Sequence, residues 1–210
     1  MSRGTIERSG LFDGVPMSLS IVWKIFYYGW FASEIYIAIA TRTRRGTGAV
    51  RDRGTLLLLW VVIFSALTCG IWIGEAKGPN LPAGPVIFGA PWMRFASLLV
   101  LLFGLVLRWT AVISLGKSFS SNVAIHATQT VLKTGLYRYM RHPSYTGLLL
   151  CILAVGLHQR NWISLLVIFV PPAAALLYRI HVEEIALREH FGLEYIDYCR
   201  QTARLVPGIY

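Results

Sequence analysis

Long apolar runs, separated by short charged connectors, set the pattern along this chain. A bilayer-crossing helix needs roughly 20 largely apolar residues. Three runs reach that length: Met17 to Ala40, Gly54 to Gly74 and Met93 to Leu115. The second holds no charged residue, whereas the third carries Arg94 and Arg108, read here as side chains that snorkel toward the interfaces. A further apolar block, Ser144 to Ile180, is interrupted by the polar turn His158-Gln159-Arg160-Asn161. It therefore predicts two antiparallel helices, 144–157 and 162–180, the first short enough to need tilt or a place near one leaflet. Pro171-Pro172 in the second removes backbone donors and forces a kink. Beyond it, His181 to Gln201 is charged, with Val182, Ile185, Leu187, Phe191, Tyr195 and Tyr198 as an apolar stripe. That stripe predicts an amphipathic tail helix at the cytoplasmic mouth, with Gly192 its weak point. The expected fold is an all-α integral membrane protein of about five transmembrane helices, with a C-terminal helical hairpin and this tail helix. A three-span membrane region, 1–116, is expected to precede a second region, 117–210. The segment 76–91, rich in proline and glycine, predicts an irregular outer connection.

Composition supports this reading. Of 210 residues, 55% are hydrophobic and 14% charged, where a soluble domain has about a quarter charged. Mean hydropathy is +0.57. A disordered chain and a secreted disulfide scaffold are both excluded. The net charge of +10 would suggest nucleic acid in a soluble domain, but here it is distributed by loop. Arg42, Arg44, Arg45, Arg51, Arg53, Lys117, Lys133, Arg138, Arg141, Arg179, Arg188, Arg200 and Arg204 fall on one side of a five-span arrangement, 13 cations in all. Arg3, Arg8, Lys77, Arg94 and Arg160 fall on the other. The bias predicts an outside N-terminus and a cytoplasmic C-terminus. The N-terminus does not read as a signal peptide, since Glu7 and Asp13 precede its first apolar run. Cys69, Cys151 and Cys199 are widely separated, without CxxC spacing, and read as reduced packing residues.

Scarce charge makes the exceptions legible. The run Gly135 to Gly147 (GLYRYMRHPSYTG) lies at the entry to the fourth helix. Pro143 suits a first helical turn, and the helix N-terminus behind it favours an anion. With Arg138, Arg141, His142, Ser144 and the tyrosines, the run reads either as an interfacial belt or as a pocket for a polar ligand with an aromatic part. Arg179 and Glu183 share a helix face at i,i+4, and Glu184 points about 100° away. They read either as a surface ion pair or as a site, since charges at membrane depth usually mark one. Lys24 and Glu34 are too far apart along the first helix to pair, and Glu34 is expected to make a structural polar contact. His126 reads as an ordinary loop histidine. With no HExxH, CxxC, GxGxxG, Walker or G-x-S-x-G pattern, no metal, Rossmann, P-loop or serine-hydrolase site is predicted.

The run Thr134 to Gly147 resembles the G-x-Y-x-x-x-R-H-P-x-Y-x-G signature of the isoprenylcysteine carboxyl methyltransferases and their bacterial relatives. Arg179, Glu183-Glu184, Phe191-Gly192, Tyr195, Tyr198, Arg204 and Pro207 are similar to the family's R-x-x-x-E-E … F-G-x-x-Y-x-x-Y … R-x-x-P pattern. The resemblance covers 114–207. It implies an integral-membrane methyltransferase using S-adenosylmethionine, with S-adenosylhomocysteine as product. The implied acceptor is a lipophilic or prenylated molecule entering from the bilayer, and no nucleic-acid partner is implied. The region 117–210 would then be the cofactor-binding catalytic region, facing the cytoplasm of a bacterial inner membrane. By position, Gln129, Thr130, Val131, Leu132, Tyr137, His142, Pro143, Ser144 and Tyr145 would bind cofactor. Glu183 would take its ammonium, and Arg179 would hold the substrate carboxylate. Asn122 stands where the family often has Gln. Carboxyl O-methylation of an isoprenylcysteine-like acid leads. Phospholipid amine N-methylation stays open, as do a nicotinamide-dependent membrane reductase, because sterol reductases share a similar C-terminal run, and a non-catalytic scaffold.

Overall fold

The computed structural model describes residues 17–40, 49–50, 54–75, 92–116, 124–125 and 130–209. Six α-helices follow in chain order: α1 Met17–Ala40, α2 Thr55–Glu75, α3 Trp92–Leu115, α4 Pro143–His158, α5 Trp162–Phe191 and α6 Leu193–Gln201. A 3₁₀ turn, Gly135–Arg138, leads into α4. Ala49–Val50 pairs antiparallel with Ala124–Ile125. Among the described residues, α2, α3 and α5 are long and apolar enough to cross a membrane, and α4 is a shorter apolar helix. Helix α1 has the length, 24 residues, but carries an exposed Lys24 and a buried Glu34. The segments holding the 76–91 connection, Asn122, His126 and Gln129 lie outside the described residues.

Helix α3 packs on α4, and α2 on α5, while α4 and α5 form the expected hairpin. Small residues allow this. A Cβ on Gly147 would stand 2.6 Å from the Arg108 amide nitrogen and 2.7 Å from the Gly104 carbonyl oxygen. The α3 and α4 backbones are thus in direct contact, as small residues permit between membrane helices. The core between the helices is mostly aliphatic, built on Leu101, Ile152, Ile168, Leu176 and Ile180 with Cys151, Trp23 and Trp30. Facing outward, Leu57, Val61, Phe64 and Trp72 on α2 and Phe95, Leu99, Phe103 and Val106 on α3 leave large apolar side chains exposed. That surface suits lipid rather than water.

Two expected boundaries move. Helix α5 does not stop at Ile180; it runs through Pro171 and Pro172 to Phe191, 30 residues in all. Asn161 starts it by accepting from the amides of Ile163 (2.9 Å) and Ser164 (3.1 Å), a side-chain N-cap. Gly192, with φ +58°, ends it, a backbone conformation open to glycine. The single tail helix expected over 181–201 is therefore the end of α5 followed by the nine-residue α6. After α6 the chain returns to the α4 entry. The Arg141 amide donates to the Ala203 carbonyl (2.9 Å), the His142 amide to that of Arg204 (3.1 Å), and the Ala203 amide to that of Tyr139 (3.2 Å). This short parallel bridge ties the two motif segments, far apart in sequence, into one layer.

Candidate active site

Arg179 is 1% exposed, so it is no surface ion-pair residue. Its Nε donates to the Tyr145 hydroxyl at 3.0 Å, and its Nη1 to the Thr55 hydroxyl at 2.8 Å. The Tyr145 hydroxyl in turn donates to Glu183 Oε2 at 2.7 Å. One phenol thus bridges the guanidinium and the carboxylate singled out in the sequence. The His142 ring stacks on Tyr145, with centroids 5.6 Å apart and planes 18° from parallel. Helices α2, α4 and α5 each supply part of this group.

Glu184, also 1% exposed, is the hub of a second network. Its Oε1 accepts from Arg141 Nε (2.9 Å) and Arg204 Nε (3.2 Å) and lies 3.3 Å from His142 Nε2. Its Oε2 accepts from Arg188 Nη2 (3.1 Å) and Arg204 Nη2 (3.0 Å). Arg141 also donates Nη1 to the carbonyls of Cys199 and Thr202. A buried carboxylate with this many charged donors is held ionised and fixed in place. Arg138, by contrast, is exposed and sits over its neighbour Tyr139.

A third network lies deeper. Arg108 does not snorkel. It is 6% exposed and donates Nε and Nη2 to the two oxygens of Glu34, at 2.9 and 2.7 Å. Its Nη1 reaches the Ser144 hydroxyl at 2.5 Å and the Ser144 carbonyl at 3.2 Å. This fork geometry fits a carboxylate bidentately. Glu34 thereby makes the structural polar contact expected of it, and the Ser144 hydroxyl is turned toward Arg108.

The aromatic frame is close-fitting. The Tyr137 hydroxyl donates to the Ala111 carbonyl (3.3 Å), and the Tyr198 hydroxyl to the Tyr137 carbonyl (2.6 Å). Burial pushes the phenols of Tyr137 and Tyr195 well above the usual tyrosine range. Burial also pushes Tyr198 up to about 12, although the nearby Arg141 charge draws it down. All three are neutral at physiological pH. Pro143 is buried at the first position of α4, and the Tyr145 and Thr146 amides donate back to the His142 carbonyl. Part of the helix N-terminus is thus spent on its own turn. Thr130 is exposed, Val131 and Leu132 are half-buried, and Gln129 lies outside the described residues.

Between the helices is a cavity of about 30 Å³, room for little more than one water. Ile37 and Ala38 of α1 and Leu56, Leu59 and Ile63 of α2 give its apolar wall; Arg179, Tyr145, Arg108 and Glu34 give its polar end. Thr55, the Arg108–Glu34 pair and the four-sided role of Glu184 are the features that linear reading missed. The signal available for the pair was two opposite charges stranded in separate apolar runs.

Residues 97–189 match the model of the isoprenylcysteine carboxyl methyltransferase (ICMT) family. Over those residues the chain is similar to the ICMT family. Over 120 residues it is 31% identical to protein-S-isoprenylcysteine O-methyltransferase B of Arabidopsis thaliana, an alignment covering 56% of this chain and 61% of that one. The enzyme of the same name from Rattus norvegicus is 32% identical over 120 residues, covering 56% of this chain and 42% of the relative. The chain thus spans less than two thirds of the length of these curated relatives. The solved structure of the eukaryotic intramembrane Ras methyltransferase ICMT superposes with a TM-score of 0.59 at 22% identity, over 91% of this chain and 66% of that one. The chain therefore has the fold of an ICMT-like integral membrane protein. The matched segment runs from within α3 to the end of α5 and holds Arg108, Tyr145, Arg179, Glu183 and Glu184. It leaves α1 and α2 outside.

Proposed function

We propose that this chain is a member of the ICMT family and transfers a methyl group from S-adenosylmethionine to the carboxylate of a lipophilic, isoprenylcysteine-like acceptor. The observation that carries this reading is the bridge Arg179–Tyr145–Glu183, in which one phenol links a cation to an anion, with Arg179 and Tyr145 at the polar end of an apolar slot. The residues suit the cofactor. Glu183 is only half-buried, and Tyr145 donates to its Oε2. An ammonium would pair with this carboxylate. His142, Pro143, Tyr145, the wall formed by Tyr137, and the segment from Gln129 to Leu132 would enclose the rest. Ser144 would contribute backbone, because its hydroxyl serves Arg108. When bound, the cofactor supplies an electrophilic sulfonium methyl.

The chain's own groups then have a limited task. An acceptor carboxylate is ionised at neutral pH, so no strong base is needed. Arg179 orients it through parallel hydrogen bonds, which a lysine cannot reproduce. Methyl transfer neutralises two opposite charges, so orientation and exclusion of water do the remaining work. The acceptor's chain would run along the wall given by α1 and α2. The cation bias along the chain supports a cytoplasmic site and an outside N-terminus. The relatives' names favour carboxyl over amine methylation and over nicotinamide-dependent reduction.

Arg179→Lys tests the reading. It should keep S-adenosylhomocysteine binding by calorimetry and lose most turnover with radiolabelled S-adenosylmethionine; unchanged turnover would sink the assignment. Stabilisation of the protein by NADPH alone, and not by S-adenosylhomocysteine, would favour the reductase.

A further inference from the structure

Thr55 opens α2, outside the segment 97–189 that matches the family. Its side chain is buried, and its hydroxyl accepts from Arg179 Nη1 at 2.8 Å. The same guanidinium gives Nε to Tyr145 at 3.0 Å. Two hydroxyls, one from α2 and one from α4, therefore fix the plane of a single planar fork. A guanidinium recognises a carboxylate through two parallel N–H groups only if that plane is held.

The two hydroxyls differ in what lies behind them. Tyr145 is linked onward to Glu183, so its loss disturbs both ends of the site. Thr55 bonds Arg179 and is followed in sequence by Leu56, which with Leu59 lines the same cavity as Arg179. Helix α2 packs along α5, which carries Arg179. A change at Thr55 thus reaches Arg179 from the acceptor side without passing through Glu183.

We propose that Thr55 is a positioning residue for the acceptor carboxylate: by holding Arg179 Nη1 it aims the fork, and α2 thereby sets the acceptor step. The proposal rests on the methyltransferase reading above.

The experiment uses the full chain in lipid nanodiscs, with N-acetyl-S-farnesylcysteine as acceptor probe and S-adenosylhomocysteine as cofactor probe. Thr55→Val keeps the shape and removes the hydroxyl; Thr55→Ser keeps the hydroxyl. The expected result for Thr55→Val is S-adenosylhomocysteine affinity within about twofold of wild type and acceptor kcat/KM lower by about tenfold, the scale of one hydrogen bond to a charged group. Thr55→Ser should recover most of that loss. If Thr55→Val does not fold, Thr55→Ala carries the same comparison. Wild-type acceptor kcat/KM in the hydroxyl-free variant overturns the proposal. So does a parallel loss of cofactor affinity in both Thr55→Val and Thr55→Ser, which would mark a purely structural role. Wild type and Arg179→Lys, measured alongside, separate the two levels: no transfer by wild type removes the methyltransferase reading itself, and full turnover in Arg179→Lys removes the role of Arg179 and that of Thr55 with it. A dead Arg179→Lys beside an unaffected Thr55→Val removes only the role of Thr55.

Discussion

Replacing Gly147 by alanine puts one methyl group into a backbone-to-backbone contact between α3 and α4. The new Cβ would meet the Arg108 amide nitrogen at 2.6 Å, the Gly104 carbonyl oxygen at 2.7 Å and the Arg108 Cα at 2.8 Å. All three are backbone atoms, so no side-chain rotation relieves the clash. Ordinary contact would require α3 and α4 to separate by roughly an ångström. Arg108 sits at that crossing and bonds both Glu34 and Ser144, so separation also lengthens a buried ion-pair network. Overpacking of this kind costs about 1–3 kcal/mol. For a chain of this size each kcal/mol is worth about 2–4 °C in melting midpoint. The expected fall for Gly147→Ala is therefore about 2–12 °C in detergent or nanodiscs. Gly29→Ala is the matched control: an added Cβ there has nothing within 4 Å, and alanine is the better helix former. It should leave the midpoint unchanged or raise it. A Gly147→Ala protein that melts with wild type would refute the claim that this contact holds α3 against α4.

Glu184→Gln should cost about 3–5 kcal/mol, because removing one partner leaves buried cations uncompensated; limited proteolysis should show the segment after α6 cut far faster than in wild type. Arg108→Met should destabilise by a similar amount, and adding Glu34→Met should restore part of it, since a buried pair replaced by apolar side chains is often near neutral; melting of the single and double variants measures the recovery. Tyr198→Phe should cost about 1–2 kcal/mol through the lost bond to the Tyr137 carbonyl. Because the folded Tyr198 phenol titrates near 12 and an unfolded one near 10, its stabilisation is complete below about pH 10 and is lost as pH rises through about 12. Alkaline melting curves should be shallower in that window for Tyr198→Phe than for wild type.

The apolar runs carried the helices well, because membrane spans are written in uninterrupted hydropathy. They carried boundaries less well. The tandem proline suggested disruption, yet α5 absorbs Pro171 and Pro172 and runs to Phe191; neighbouring helices supply the packing that a proline costs in isolation. Gly192 is legible as the weak point because glycine is a poor helix former, and α5 ends there at a positive φ open to glycine. At the site, the spacing of Arg179 and Glu183 announced a shared face but not the Tyr145 hydroxyl between them. Glu184 looked secondary in sequence. Its importance comes from Arg141, His142, Arg188 and Arg204 converging on it, and convergence of distant segments has no linear signature. Thr55 and Glu34 lie in helices outside the matched segment, where a lone threonine or glutamate in an apolar run carries no chemical motif.

The most direct measurement of the proposed chemistry is transfer of radiolabel from methyl-labelled S-adenosylmethionine to N-acetyl-S-farnesylcysteine by the purified, reconstituted chain, followed by treatment with alkali. A carboxyl methyl ester is hydrolysed by base and a methylated amine is not. The expected result is transferred label that alkali releases as volatile methanol. Absence of transfer, or label that stays with the acceptor after alkali, would contradict it.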